Sequence, residues 1–316
     1  MIGLDVQDGI DVCKRHDLGN YFMNSIHYDY CINCIAYTDT GKAESTPEGR
    51  DIDYKLNALA PKYIAESCAY WKTKLIHIST DYVFSQNSSY KNKVLDGFCP
   101  FSPGDEPFPV NTYGKNKLIG EQFIKEEFRG REKDFAILRT SWLYGAHNNK
   151  SFIHKFIRNV VKTIMTSDKE SGVEVTMTEN EISVPTSTKF VAECILDTIF
   201  RKRHGVLHAV CDIYATSEVN TLRGEPVGGV CGVSRVEFAK EILKNFNYDQ
   251  HMIENVNLSD IKIAPVKRDT YQPKFSAMMS SFSKTEDREL TRYSWEDDLH
   301  DFIEQHGGKI LAWAKD

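Results

Sequence analysis

The sequence predicts an α/β fold, a doubly wound parallel sheet joined to a smaller C-terminal α+β region. Short apolar runs alternate with helix-patterned segments through the first half of the 316-residue chain. That order builds a parallel sheet covered on both faces. The polar residues best suited to chemistry, Thr80 and the run Arg139-Thr140-Ser141-Trp142, fall at the carboxyl ends of two of those runs. Ligands of such sheets bind there.

Taken in order, residues 30–36 form a short apolar run ending in a polar turn. Leu56, Leu59, Ala60, Tyr63, Ile64, Cys68 and Trp71 then follow helical spacing. Residues 74–79 read as a strand that ends on Thr80 and Asp81, and residues 85–110 as a loop carrying Pro100, Pro103, Pro107 and Pro109. A helix over 113–128 and a strand over 135–139 follow. In the second half, helices are predicted over 152–165, 189–201 and 235–246, and strands over 173–177 and 206–210. Residues 213–229 are polar and glycine-bearing and read as a surface loop. The division expected is 1–145 for a cofactor-binding domain and 146–316 for a substrate-binding region.

Composition is that of an ordinary globular protein, with 41% hydrophobic and 27% charged residues and a net charge of −6. No long basic run points to nucleic acid, and no apolar stretch approaches the roughly 18–20 residues a membrane span needs. The N-terminus lacks the features of a signal peptide. The eight cysteines are therefore read as reduced thiols of a cytoplasmic protein. Cys31 and Cys34 have redox or zinc spacing, but no second ligand pair follows at zinc-finger distance, so no metal site is assigned.

Tyr113 lies four residues before Lys117, which sets both side chains on one helix face. A fixed ammonium there would lower the phenol's proton affinity. With a hydroxyl from the strand end at Thr80, the three would form a proton-donating site beside a carbonyl.

Several segments together resemble the extended short-chain dehydrogenases/reductases, and among them the dTDP-4-dehydrorhamnose reductase family. They are Gly3-Leu4-Asp5-Val6, residues 33–45, 77–84 and 109–121, and Leu138-Arg139-Thr140-Ser141-Trp142-Leu143-Tyr144-Gly145. Weaker echoes lie at 180–186, at 233–242 and at Lys267-Arg268.

The resemblance implies a Rossmann-like fold and reduction of a nucleotide-activated 4-keto-6-deoxy sugar with NADPH or NADH. It implies Tyr113 as the proton donor, Lys117 on the nicotinamide ribose and Thr80 on the reacting oxygen. Asp5 and Val6 would lie against the adenine, Ala36, Tyr37 and Thr38 along the cofactor, and Asn57 behind them. Asp81, Tyr82 and Trp142 would face the sugar. Tyr113 and Lys117 alone could instead be an exposed helix pair, and Trp142 could be core packing. Some relatives form homodimers.

The sequence departs from this pattern at one place above all. No G-x-x-G-x-x-G turn is present, and the first βαβ unit that would carry it, about 30 residues, is expected to be missing. Met1 would then be an internal methionine of a longer reductase, or the chain a degenerate member without cofactor. The same fold and similar strand ends occur in the regulatory beta subunit of methionine adenosyltransferase, whose ligand is a protein partner; a non-catalytic binding role is therefore the alternative. Epimerases share Tyr113 and Lys117 in type, and Thr40-Gly41 and Asn180-Glu181 also differ from the reductase pattern.

Overall fold

A computed structural model describes residues 2–25, 27–85, 100–147, 149–166, 173–212, 232–248, 252–253, 256–258, 261–267, 271–282 and 294–315. Its main sheet is built from β1 (Tyr30–Asn33), β2 (Lys74–Thr80), β3 (Phe135–Thr140) and, from later in the chain, β5 (Gly205–His208). These pair in the order β1, β2, β3, β5, and every pairing is parallel. The register sets Asn33 opposite His77, Ser79 opposite Arg139, and Thr80 opposite Thr140. The α/β class and parallel sheet expected from the sequence are the ones observed.

Both faces are covered because strand side chains alternate. Leu75 and Ile137 pack with Ile64, Cys68, Ile124 and Phe128 of helices α4 (Ala60–Trp71) and α5 (Thr112–Glu127). Ile76, Ala136 and Leu138 join a larger core on the opposite face. That core takes in Phe156 and Val160 of α6 (Phe152–Thr166), Cys194 of α7 (Thr188–Phe200), and Phe238 and Ile242 of α8 (Arg235–Tyr248). β4 (Glu174–Thr178) pairs in parallel with β6 (Lys262–Val266) as a separate two-stranded element.

Four helices among the described residues went unpredicted: α1 (Arg15–Asn24), α2 (Thr40–Ser45), α3 (Pro47–Tyr54) and the C-terminal α9 (Trp295–Lys315). α1 buries only Leu18, so it carries almost no apolar stripe to read. α9 does bury a stripe of Trp295, Leu299, Phe302, Ile303, Ile310 and Leu311. Its Gly307-Gly308 pair reads as a breaker in sequence. In the structure a Cβ on Gly307 would stand 3.1 Å from Ile303 and 3.2 Å from Phe246, so that glycine serves close packing against α8. The predicted loop at 213–229 lies outside the described residues, as do 86–99 of the loop predicted at 85–110 and Arg268. No helix among the described residues is long and apolar enough to cross a membrane.

The glycines of α5 set its distance from the site. A Cβ on Gly114 would stand 2.2 Å from the Tyr82 carbonyl oxygen, and one on Gly120 would stand 2.4 Å from the Asn57 carbonyl oxygen. Gly114→Ala is therefore expected to destabilise by about 1–3 kcal/mol through overpacking against backbone. Gly308→Ala, with open space around its Cβ, should be neutral or stabilising through helix propensity. Thermal unfolding of the two variants reads both signs.

Candidate active site

Thr80 ends β2 and caps the 3-10 turn Asp81–Val83, its hydroxyl oxygen accepting from the Tyr82 N–H at 3.2 Å. The same hydroxyl donates to Asp81 Oδ1 at 3.2 Å. Asp81 is 2% exposed. Its Oδ2 accepts from Ser183 Oγ at 2.7 Å and Ser276 Oγ at 2.6 Å, and Ser141 Oγ lies 2.6 Å from Ser183 Oγ. Burial raises the Asp81 carboxyl, and the hydrogen bonds from Ser276, Ser183 and Thr80 pull it the other way. The hydroxyls of Thr80, Ser183 and Ser276, from three chain segments, thus meet on one carboxylate.

α5 begins beneath this turn. Asn111 caps it by accepting from the Gly114 N–H at 2.8 Å. The Tyr113 ring meets the Tyr82 ring edge-on, with centroids 5.5 Å apart. Burial pushes the Tyr113 phenol above its ordinary value, and a hydrogen bond with the Thr80 hydroxyl acts in the opposite direction. The lowering expected from the sequence is therefore reversed by desolvation, and Tyr113 keeps its proton at neutral pH. One helical turn on, Lys117 is 1% exposed. Its Nζ donates to the Ile78 carbonyl at 2.7 Å and lies 3.4 Å from His77 Nε2. Burial brings its pKa down to about 8, with Glu121, Asp53 and Cys34 pulling the other way. Thr80, distant in the chain from Tyr113 and Lys117, meets them at one strand end.

The turn after β1 holds Ala36, Tyr37 and Thr38. Asn57, fully buried, clasps it: Oδ1 accepts from the Tyr37 N–H at 3.1 Å and Nδ2 donates to the Tyr37 carbonyl at 2.9 Å. Asn57 sits in a π-helical turn (Lys55–Leu59) between α3 (Pro47–Tyr54) and α4. Such turns favour functional sites. Its Nδ2 also donates to Asp53 at 2.7 Å, and Asn116 of α5 donates to the other Asp53 oxygen at 2.6 Å.

The remaining expected residues, Asp5, Val6 and Trp142, sit on other segments of the chain. Asp5 is exposed and its carboxylate accepts from the Gln7 N–H at 3.2 Å within a short 3-10 turn, Val6–Asp8. Among the described residues no hydrogen bond ties it to the Tyr37 turn. Trp142 is half-buried with its backbone in the left-handed region, φ 41°. For a bulky residue that is strained, and such strain clusters at ligand sites. The Arg235 guanidinium lies 3.5 Å from the Trp142 ring centroid and 4.8 Å from that of Phe152. Arg235 also acts electrostatically on Asp81 and Tyr82.

The sequence reading gave no role to His77, Asn33, Asp53, Asn116 or Arg235. The strand register brings in Asn33 and His77, the packing of α3 on α5 brings in Asp53 and Asn116, and Arg235 comes from the start of α8. Local spacing carries no signal for any of these.

The RmlD substrate binding domain model matches residues 3–307 of the chain. The chain belongs to this family. A dTDP-4-dehydrorhamnose reductase of Mycobacterium tuberculosis is 33% identical over 186 residues, covering 58% of this chain and 54% of that protein. The RmlD-family chain thus spans about half the length of the curated relatives it matches. Among solved structures, a dTDP-4-dehydrorhamnose reductase of Clostridium acetobutylicum is 28% identical with a TM-score of 0.71, covering 96% of this chain and 89% of that one. One from Bacillus anthracis, in complex with NADP, is 25% identical with a TM-score of 0.69, covering 95% and 88%. The Rossmann-like architecture expected from the sequence is shared with these reductases.

Proposed function

We propose that this RmlD-family chain reduces a nucleotide-activated 4-keto-6-deoxy sugar, dTDP-4-dehydrorhamnose to dTDP-L-rhamnose. The observation that carries this is the convergence of Thr80, Tyr113 and Lys117 at the carboxyl end of β2. The division of labour would run near residue 145, with the later region taking the nucleotide while lending β5 to the sheet.

The residues present fit the reactive end of a nicotinamide cofactor. A buried amine at Lys117 follows the phenol by one helical turn, and the turn clasped by Asn57 is tied to the same helix through Asp53 and Asn116. NADPH or NADH, when bound, supplies the hydride; Lys117 would hold its ribose, with Ala36, Tyr37 and Thr38 alongside. The sequence holds no glycine-rich turn for the pyrophosphate.

The chain's own part is proton management. The sugar's C4 oxygen gathers negative charge as the carbonyl is reduced. Tyr113, whose raised proton affinity keeps it protonated, gives its proton to that oxygen as a general acid. Thr80 hydrogen-bonds the same oxygen and fixes its position, which stabilises charge where it develops. Tyr82 packs on the Tyr113 ring and limits its orientation. Trp142, backed by Arg235, offers an aromatic wall for the sugar.

Calorimetric titration of the whole chain with NADPH and then NADH tests this first. Saturable binding of either supports the reading. A folded chain that binds neither overturns it in favour of a partner-binding role.

A further inference from the structure

The buried contact between Lys117 and His77 has a hydrogen-bonding logic that the proposed reaction leaves unused. The Ile35 N–H donates to Asn33 Oδ1 at 3.0 Å, which fixes the orientation of that amide. The other end, Asn33 Nδ2, is a pure donor and lies 3.0 Å from His77 Nδ1. Nδ1 must therefore accept, and the imidazole proton resides on Nε2. His77 is fully buried, and that burial by itself holds the ring well below the usual imidazole range, in the neutral form. Nε2–H then points at Lys117 Nζ, 3.4 Å away.

An ammonium at that position would set donor against donor. Moving the ring proton to Nδ1 only transfers the conflict to Asn33, and flipping the Asn33 amide transfers it to the Ile35 N–H. One arrangement satisfies every group: Lys117 as a free amine, accepting from Nε2–H and donating to Ile78 O.

We propose that His77, its tautomer set by Asn33, is a positioning residue that favours the free-amine form of Lys117, which takes up its proton on engaging a ligand. The groups facing Lys117 are His77 from β2, Asp53 from α3, Glu121 from α5 and Cys34 from the turn after β1. Asp53, Glu121 and Cys34 favour the ammonium; burial and His77 oppose it. The inference rests on the reading of Lys117 as the ribose-binding lysine, yet its test needs neither cofactor nor sugar.

The test is side-chain NMR on the whole chain, with the Lys117 signal assigned by its loss in Lys117→Met. Two-bond proton–nitrogen correlations should place the His77 proton on Nε2, and Lys117 Nζ should titrate at or below about 8. In His77→Gln the side-chain amide can turn its oxygen to the ammonium, so the Lys117 titration should rise by at least a factor of ten in proton affinity. Asn33→Asp offers an oxygen to Nδ1, and should move the ring proton there and raise the Lys117 titration as well. Where turnover is measurable, its pH profile should shift with Lys117 in both variants while KM for the sugar nucleotide stays put. A proton on Nδ1 in the unaltered protein, or a Lys117 titration that stays fixed in both variants, overturns the proposal. A positive NMR result alongside normal turnover in Tyr113→Phe would sink the reductase mechanism and leave this inference standing.

Discussion

Tyr113→Phe is expected to lower turnover by about 10²–10⁴-fold, the range a positioned general acid contributes, and to leave sugar-nucleotide affinity largely unchanged. The substitution removes one oxygen. It keeps the ring that packs on Tyr82 at 5.5 Å and the helix start capped by Asn111. Folding should therefore be nearly undisturbed, and the loss should appear in kcat. Sugar-nucleotide binding by calorimetry, set beside steady-state rates with NADPH, separates the two terms. Normal turnover would remove Tyr113 from the mechanism.

The largest effect on stability is expected at the ion pair beneath the site. Arg139 grips Glu121 with two bonds, Nε to Oε1 at 2.9 Å and Nη2 to Oε2 at 2.7 Å, and both residues are almost wholly buried. Ser79 adds a third bond to Oε1 at 2.6 Å, and the guanidinium lies 4.9 Å from the Phe84 ring centroid. Removing one partner strands the other charge away from water. Glu121→Leu or Arg139→Met alone should each cost about 3–5 kcal/mol in denaturant unfolding. The double variant should cost less than the sum of the two, because the one charge it leaves without its partner, Lys125 at 3.8 Å from Glu121, is partly exposed to water. Additive losses would show that the pair does not act as a unit.

Burial pushes the Glu121 carboxyl up, but Arg139's hydrogen bonds and charge outweigh it, and the group is held below its usual value. A depressed folded-state value means that the stabilisation is fully present above the unfolded value of about 4.3. It is lost as pH falls through the folded value, so acid should unfold the unaltered chain from that side.

How far the sequence alone reached follows from the range of each contact. Tyr113 and Lys117 share a helix face by spacing, and Thr80 follows an unmistakable strand, so all three were legible. The strands of the main sheet were legible too, because their apolar runs are continuous. The links among His77, Asn33 and Lys117 were not, since they depend on parallel register between β1 and β2. The clasp of Asn57 on Tyr37 spans 20 residues; the family resemblance implied Asn57 behind that turn, but no local spacing announces the π-helical turn that carries it. The direction of the Tyr113 shift was misjudged because spacing gives neighbours but not burial.

That irregularity sets the phase of the helical segment. A π turn holds one residue more than the α-helix would, so everything upstream of Lys55–Leu59 is rotated by about 100° relative to α4. α3 and α4 therefore act as two gears with a fixed offset. Asp53 faces α5 on one side of the offset while Pro61 and Ile64 stay buried on the other. Deleting a single residue there would restore a smooth helix and keep a greasy face against the sheet. It would turn Asn57 and Asp53 away from their partners together, and the Tyr37 turn would lose its clasp. The chain can thus drift at many surface positions, but its count of residues between Asp53 and Ile64 is as constrained as any side chain in the site.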